Sequence, residues 1–159
     1  MASLTSEYIA DRLKEIVGPD RVTTNYIDRE VYMQNFAFGA FSQRPDVVIK
    51  PASVLSGDNA IPKVVNFANR YKIPIVVKGG IGWVGATTCR EGGILIDISD
   101  MNSIFRINPE LQYVVVEAGT SIYKIHRELR NYDMILPNFG TYESGTLISS
   151  IFNLGSGLG

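Results

Sequence analysis

The sequence has almost nothing with which to build a disulfide or a cysteine–histidine metal site: one cysteine, Cys89, and one histidine, His126, in 159 residues. An internal disulfide is excluded, and so is a zinc cluster made of these two residue types. There is no excess of charge either. Fifteen Lys and Arg stand against sixteen Asp and Glu, a net charge of −1, which removes the electrostatic footprint of a protein that binds nucleic acid or an anionic membrane. No apolar run approaches the ~20 residues that a bilayer-spanning helix needs, and the first residues lack the pattern of a secretory signal. The sequence therefore reads as cytoplasmic. No internal repeat, low-complexity segment or linker interrupts it. What is present is 45% hydrophobic and 19% charged residues, the balance of a globular chain long enough for one substantial core.

The hydrophobic pattern gives an order of elements. Ser6 is placed to cap a helix with Ile9, Leu13, Ile16 and Val17 on one face, ended by Gly18-Pro19. From Arg21 to Arg44 the pattern is irregular. A helical turn is expected near Arg29–Met33, and the aromatics Tyr26, Tyr32, Phe36, Phe38 and Phe41 read as packing anchors of a strap. Val47-Val48-Ile49 is a short buried strand. A helix with Ile61, Val64, Val65, Ala68 and Tyr71 on one face follows, with Pro62 tolerated in its first turn, and then a strand over Ile73–Val77. Strand, helix, strand at this spacing predicts a βαβ unit with parallel strands. Ile94–Ile98 is a further apolar strand. Ile104–Ile107 and Tyr113–Glu117 are spaced as a hairpin around Asn108-Pro109-Glu110, and Thr120 or Ser121 caps a helix bearing Ile122, Ile125 and Leu129. Met134–Pro137 reads as a short extended piece.

The chemistry-bearing stretch is Lys78-Gly79-Gly80-Ile81-Gly82-Trp83-Val84-Gly85, where an apolar strand meets a cation and closely spaced glycines. Glycines let another group approach the backbone, and successive amides in such a turn form an anion-binding concavity. Gly80–Gly85 matches the G-x-G-x-x-G dinucleotide fingerprint letter for letter, but that fingerprint requires a helix to begin inside it. Ala86–Gly93 is too short and too broken for one, so a nicotinamide site is disfavoured. No Gly-Lys-Ser/Thr of a P-loop occurs. A phosphate-holding loop between two strands and a plain glycine-rich turn both remain open, and Trp83 either covers a flat ligand or packs. His126 has no triad partner placed by the sequence and is expected at a helix edge or surface. Cys89 lies in a polar stretch beside Arg90, whose charge would lower a thiol's pKa, a weak sign of reactivity. Asp97 and Asp100 are expected to terminate a strand.

In this order, Pro45–Pro51, Ile73–Gly82, Gly93–Asn102 and Val115–Ser121 resemble the FAD-binding domain of the FAD-linked oxidases, the type shared by p-cresol methylhydroxylase, vanillyl-alcohol oxidase and the glycolate oxidase/D-lactate dehydrogenase group. The resemblance runs from about Pro45 to the last residue, with residues 1–44 as an N-terminal helix and strap. It implies an α+β fold, a small mixed or parallel sheet with flanking helices, forming the first lobe of a PCMH-type FAD-binding domain. It also implies that Lys78, Gly79, Gly80, Ile81, Gly82, Trp83 and Gly85 wrap the FAD pyrophosphate. A second stretch runs along the cofactor, with Pro137, Gly140 and Thr141 in one turn and Leu147, Ser149, Ser150 and Ile151 in the next segment.

Against the family pattern, Lys78 replaces an arginine, Ile81 a glycine, and Ile148-Ser149-Ser150 a Gly-Gly-Asn. Gly82 stands where members with covalent flavin carry histidine, so the implied FAD is non-covalent. The resemblance further implies a second lobe and a substrate domain, supplied by further chain, by a partner chain or by self-association. Catalytic residues cannot be assigned from the sequence. The implied function is the FAD-binding part of an FAD-dependent oxidoreductase acting on a 2-hydroxy acid such as glycolate or D-lactate. The alternative is a degenerate lobe serving as a binding, oligomerisation or accessory subunit.

Overall fold

The structure, a computed structural model, describes residues 5–33, 44–57, 59–80, 89, 92–137 and 143–152. Helix α1, Ser6–Val17, buries Ile9, Ala10, Leu13 and Val17, the stripe expected from 3.6-residue periodicity. Its cap is Thr5, which accepts a hydrogen bond from the Tyr8 amide, and not Ser6. The Ser6 hydroxyl instead donates to Asp46 Oδ1 at 3.3 Å, tying the helix to the start of the sheet. After Gly18 the chain forms strand β1, Val22–Thr23, and helix α2, Tyr26–Met33. Helix α2 starts earlier than the expected turn because Asn25 Oδ1 accepts from the Ile27 amide at 2.8 Å, a side-chain cap inside an otherwise patternless stretch.

Strand β2, Val47–Ile49, leads through a short 3₁₀ turn to helix α3, Ala60–Tyr71, and strand β3, Ile75–Lys78. Strand β4 is Ile94–Asp97. The sheet is four-stranded in the order β1-β2-β4-β3, with β1 antiparallel to β2 and the other pairs parallel. The β2-α3-β3 crossover is present, but its two strands are not neighbours; β4 lies between them. The reason lies in the side chains. All four residues of β4 are buried, as a strand covered on both faces requires, whereas Val77 of β3 is half exposed, as an edge strand allows.

One face of the sheet, Val47, Ile49, Ile94 and Ile96, packs on Ile9, Leu13 and Val17 of α1 and on Val64 and Ala68 of α3. Each Val, Leu and Ile among them contributes roughly 1.5–3 kcal/mol on burial. The opposite face holds a smaller cluster, Val48, Leu95 and Cys89, with Val76 and Tyr32 of α2 against it.

Strands β5, Ile104–Asn108, and β6, Tyr113–Val116, form the expected antiparallel hairpin. Helix α4, Ile122–Leu129, is capped by Ser121, whose hydroxyl accepts from the Lys124 amide. Residues 134–137 do not join a strand. Helix α5, Leu147–Phe152, lies where no helix was expected.

Candidate functional site

In open α/β sheets, ligands bind outside the carboxyl ends of the parallel strands. At that end here, Lys50 follows β2, Lys78 closes β3 and Asp97 closes β4. Lys78 lies opposite Asp97, and the Ile49–Ile96 pairing sets Lys50 beside it. Strand alternation puts these three residues on the face of Val48, Val76 and Leu95, the face that Tyr32 covers.

Asp97 is the centre of this row, at 5% exposure. Tyr32 Oη donates to its Oδ2 at 2.6 Å, the Ser99 amide donates to Oδ1 at 3.0 Å, and Lys50 Nζ lies 3.9 Å from Oδ2. Burial pushes the carboxyl pKa up, but the bonds from Tyr32 and Ser99 and the Lys50 charge outweigh it, so the group sits below its ordinary value. Burial and the hydrogen bond to Asp97 raise the Tyr32 phenol well above its ordinary value. Lys78 Nζ stands 5.1 Å from the centroid of the same Tyr32 ring. Asp97 is thus more than a strand terminator: it is an ionised acid held between two elements 65 residues apart in sequence.

Beyond Lys78 the chain passes through Gly79, which is buried, and Gly80, whose φ of +139° suits glycine. A Cβ at Gly79 would come within 2.7 Å of Thr146 Oγ1 and 2.9 Å of Ile148 Cγ2; one at Gly80 would come within 3.0 Å of Thr146 Cγ2. The two glycine-rich stretches therefore meet, side chain on bare backbone, at the carboxyl end of β3.

The second stretch is placed by α4. The Ile122 amide donates to Gly145 O at 2.9 Å, the Leu147 amide to Thr120 O at 2.9 Å, and the Tyr123 amide to Glu143 O at 2.8 Å. Ser149 Oγ donates to Thr146 O at 2.8 Å and accepts from Thr146 Oγ1 at 3.1 Å, so this serine braces the turn. Leu147 and Ser150 are half-buried, and Pro137 and Ile151 are exposed. Ile81, Gly82, Trp83, Gly85, Gly140 and Thr141 lie outside the described residues.

Two single residues differ from expectation. His126 is buried on α4, with Nδ1 3.2 Å from Glu143 Oε1. Its partner arrives from a segment seventeen residues further on, which no helix-face argument supplies. Cys89 is 2% exposed against Val48 and Leu95, and burial, with the Asp46 charge, raises its thiol pKa. Arg90, from which a lowering was expected, lies outside the described residues. Cys89 is expected to resist thiol reagents in the native protein and to react at once in denaturant; rapid native labelling would contradict the placement.

Glu117, for which no role was expected, is also buried. Its Oε1 accepts from the Val54 amide at 2.8 Å and its Oε2 from the Ser103 amide at 2.7 Å, stapling the β2–α3 loop to the hairpin. Among the described residues there is no group of three or more His, Cys, Asp or Glu able to hold a metal, and no helix long and apolar enough to cross a membrane.

A family profile described as an FAD binding domain matches residues 45–159. The mitochondrial D-lactate dehydrogenase [cytochrome] of Arabidopsis thaliana is 32% identical over 132 residues, covering 81% of this chain and 22% of that protein. The glycolate oxidase subunit GlcD of Bacillus subtilis (strain 168) is 25% identical over 130 residues, covering 81% of this chain and 27% of that protein. This chain thus spans about a quarter of the length of these relatives. The crystal structure of p-cresol methylhydroxylase with substrate bound superposes with a TM-score of 0.79 over 94% of this chain and 29% of that one, at 19% identity. That likeness establishes the fold: a small mixed sheet with flanking helices, as in PCMH-type domains.

Proposed function

The chain belongs to the FAD-binding domain family, and on that premise we propose that it is the first lobe of the cofactor site of an FAD-dependent oxidoreductase that oxidises a 2-hydroxy acid such as glycolate or D-lactate. The observation that carries the reading is the seating of Thr146 and Ile148 on Gly79 and Gly80 at the carboxyl end of the parallel strands. Two stretches with bare or small-residue backbone, converging there, fit an extended pyrophosphate held by amides. The substrate class is supported by relatives named D-lactate dehydrogenase and glycolate oxidase subunit.

When bound, FAD supplies the hydride acceptor; the protein supplies position and electrostatics. In this reading the 78–85 loop and the 146–151 segment hold the cofactor's phosphates, and Ser121 and Ser149 fix the second of these through the α4 cap and the Thr146 turn. The FAD is non-covalent, since Gly82 takes the place of an attaching side chain. Residues 1–44 act as helix and strap and residues 45–159 as the lobe itself. A second lobe, from further chain, a partner chain or a second copy, completes the site, and the protein works in the cytoplasm.

The test is Gly80→Val in the native protein, followed by FAD titration and thermal unfolding. A β-branched residue at φ +139° that also meets Thr146 is expected to weaken FAD binding at least about tenfold while the fold persists. Unchanged FAD affinity would mean that this stretch is only a turn.

A further inference from the structure

We propose that Lys78 is a positioning residue: its ammonium is held on the ring of Tyr32, whose hydroxyl is bonded to the Asp97 carboxylate, so that it sets the direction in which the glycine stretch leaves β3 and leaves phosphate binding to backbone amides. The inference deepens the FAD reading and rests on it.

The first support is geometric. Nζ lies 5.1 Å from the ring centroid, inside the range of a cation–π contact. The ring is not free to turn away, because its hydroxyl is bonded at 2.6 Å to the buried Asp97.

The second support is electrostatic. Asp97 is a nearly fully buried carboxylate, and Lys50, 3.9 Å away, carries a half-exposed side chain. Lys78 occupies the register position directly opposite Asp97 on the neighbouring strand. Swinging its charge out toward a phosphate would give up the contact with the Tyr32 ring, which the buried acid holds in place.

The third support is the position of the next residue. Gly79 is pinned on one side by Thr146 and Ile148. With Lys78 anchored to α2 through Tyr32, the backbone between them has both of its flanks fixed. The arrangement also accounts for α2, a helix with no fully buried residue, lying across the sheet: Tyr32 and Arg29, whose Nη1 donates to Pro45 O and Asp46 O, are its fastenings.

The test compares Lys78→Met, Lys78→Arg, Tyr32→Leu and the Lys78→Met/Tyr32→Leu double variant of the native protein. FAD affinity is measured across a salt series, and unfolding temperature without FAD. Lys78→Met and Tyr32→Leu are each expected to weaken FAD about tenfold, the scale of one desolvated cation–π contact. The double variant is expected to be no worse than the weaker single one, because both remove the same interaction. Lys78→Arg should restore affinity, since guanidinium also stacks on aromatic rings. The slope of log Kd against log salt should be the same in all of them.

A lower salt slope in Lys78→Met, with Tyr32→Leu binding normally, would place the ammonium on the phosphate and overturn the proposal. Failure of the FAD reading itself shows separately, as an unaltered protein that does not bind FAD. In that case the FAD-free unfolding temperatures still decide: non-additive losses support the Lys78–Tyr32 anchor and additive losses refute it.

Discussion

Gly119→Ala is expected to cost at least ~3 kcal/mol of stability, a large share of the ~5–15 kcal/mol typical of a folded domain. A Cβ at this position would overlap the Ile98 carbonyl oxygen and lie within 2.8 Å of Met101 O. Both obstacles are backbone, so neither can step aside as a side-chain tip does. The Gly119 amide also donates to Met101 O at 2.9 Å, so the close approach is part of the hydrogen bonding that seats the end of β6 against the turn after β4. Moving that turn disturbs Ser99 and with it Asp97, so loss of stability and loss of the Tyr32 anchor should appear together. Thermal unfolding is the readout, with a fall of about 6–12 °C expected for a chain of this size. Gly57→Ala is the control. That glycine, unlike Gly119, has positive φ, +77°, and a Cβ there meets nothing within 4 Å. Its cost should stay near ~1 kcal/mol of backbone strain. Equal effects at both positions would contradict the packing described around Gly119.

The second large effect is expected at Glu117. Burial alone would raise its pKa, but the amides of Ser103 and Val54 and the hydroxyls of Ser103 and Ser53 donate to the carboxylate and hold it below the ordinary value. A group whose folded pKa is depressed adds stability that is fully present above its unfolded pKa. That stability is lost as pH falls through the folded value. Asp97 is depressed in the same direction and adds to the same acid-side loss.

Glu117→Ala leaves two backbone donors without this acceptor and is expected to cost ~3 kcal/mol at neutral pH. Glu117→Gln keeps the shape but turns an amide NH2 toward one of the donors, for a cost of ~2 kcal/mol. Denaturant midpoints measured from pH 7 down to pH 3 check the sign. The unaltered protein should lose stability steadily on the acid side, and Glu117→Gln should lose less, because its contribution at this position is already gone. Parallel curves would show that Glu117 is not ionised in the folded protein.

These two residues also mark the border of what the sequence makes legible. Runs such as Val47-Val48-Ile49 and Ile94-Leu95-Ile96 announce buried strands, and the Ile9/Leu13/Val17 stripe announces α1, because burial leaves its period in the residue types. An apolar run says that both faces are covered, not which strand is its neighbour, and so the insertion of β4 between β2 and β3 was not readable. Helix α5, with Ser149 and Ser150 in a six-residue span, carries no stripe long enough to register.

At the candidate site, the glycine stretch after β3 stood out on composition alone, whereas a cofactor shared with the 137–151 segment was implied only by the family resemblance, and the seating of Thr146 on Gly79 and Gly80 was not readable. The charged residues were least legible. Asp97 with Tyr32, Glu117 with Val54, and His126 with Glu143 are each matched through space by residues far along the chain, and an isolated acid or histidine in a sequence carries no mark of such a partner.

The most direct test of the account is the visible absorption spectrum of the native protein purified from its own cells, before and after acid precipitation. Flavin bands that leave with the supernatant as FAD, and return when FAD but not NAD is added back to protein stripped under mild conditions, are the predicted result. A protein that is colourless, takes up no FAD, or takes up NAD in preference would contradict it.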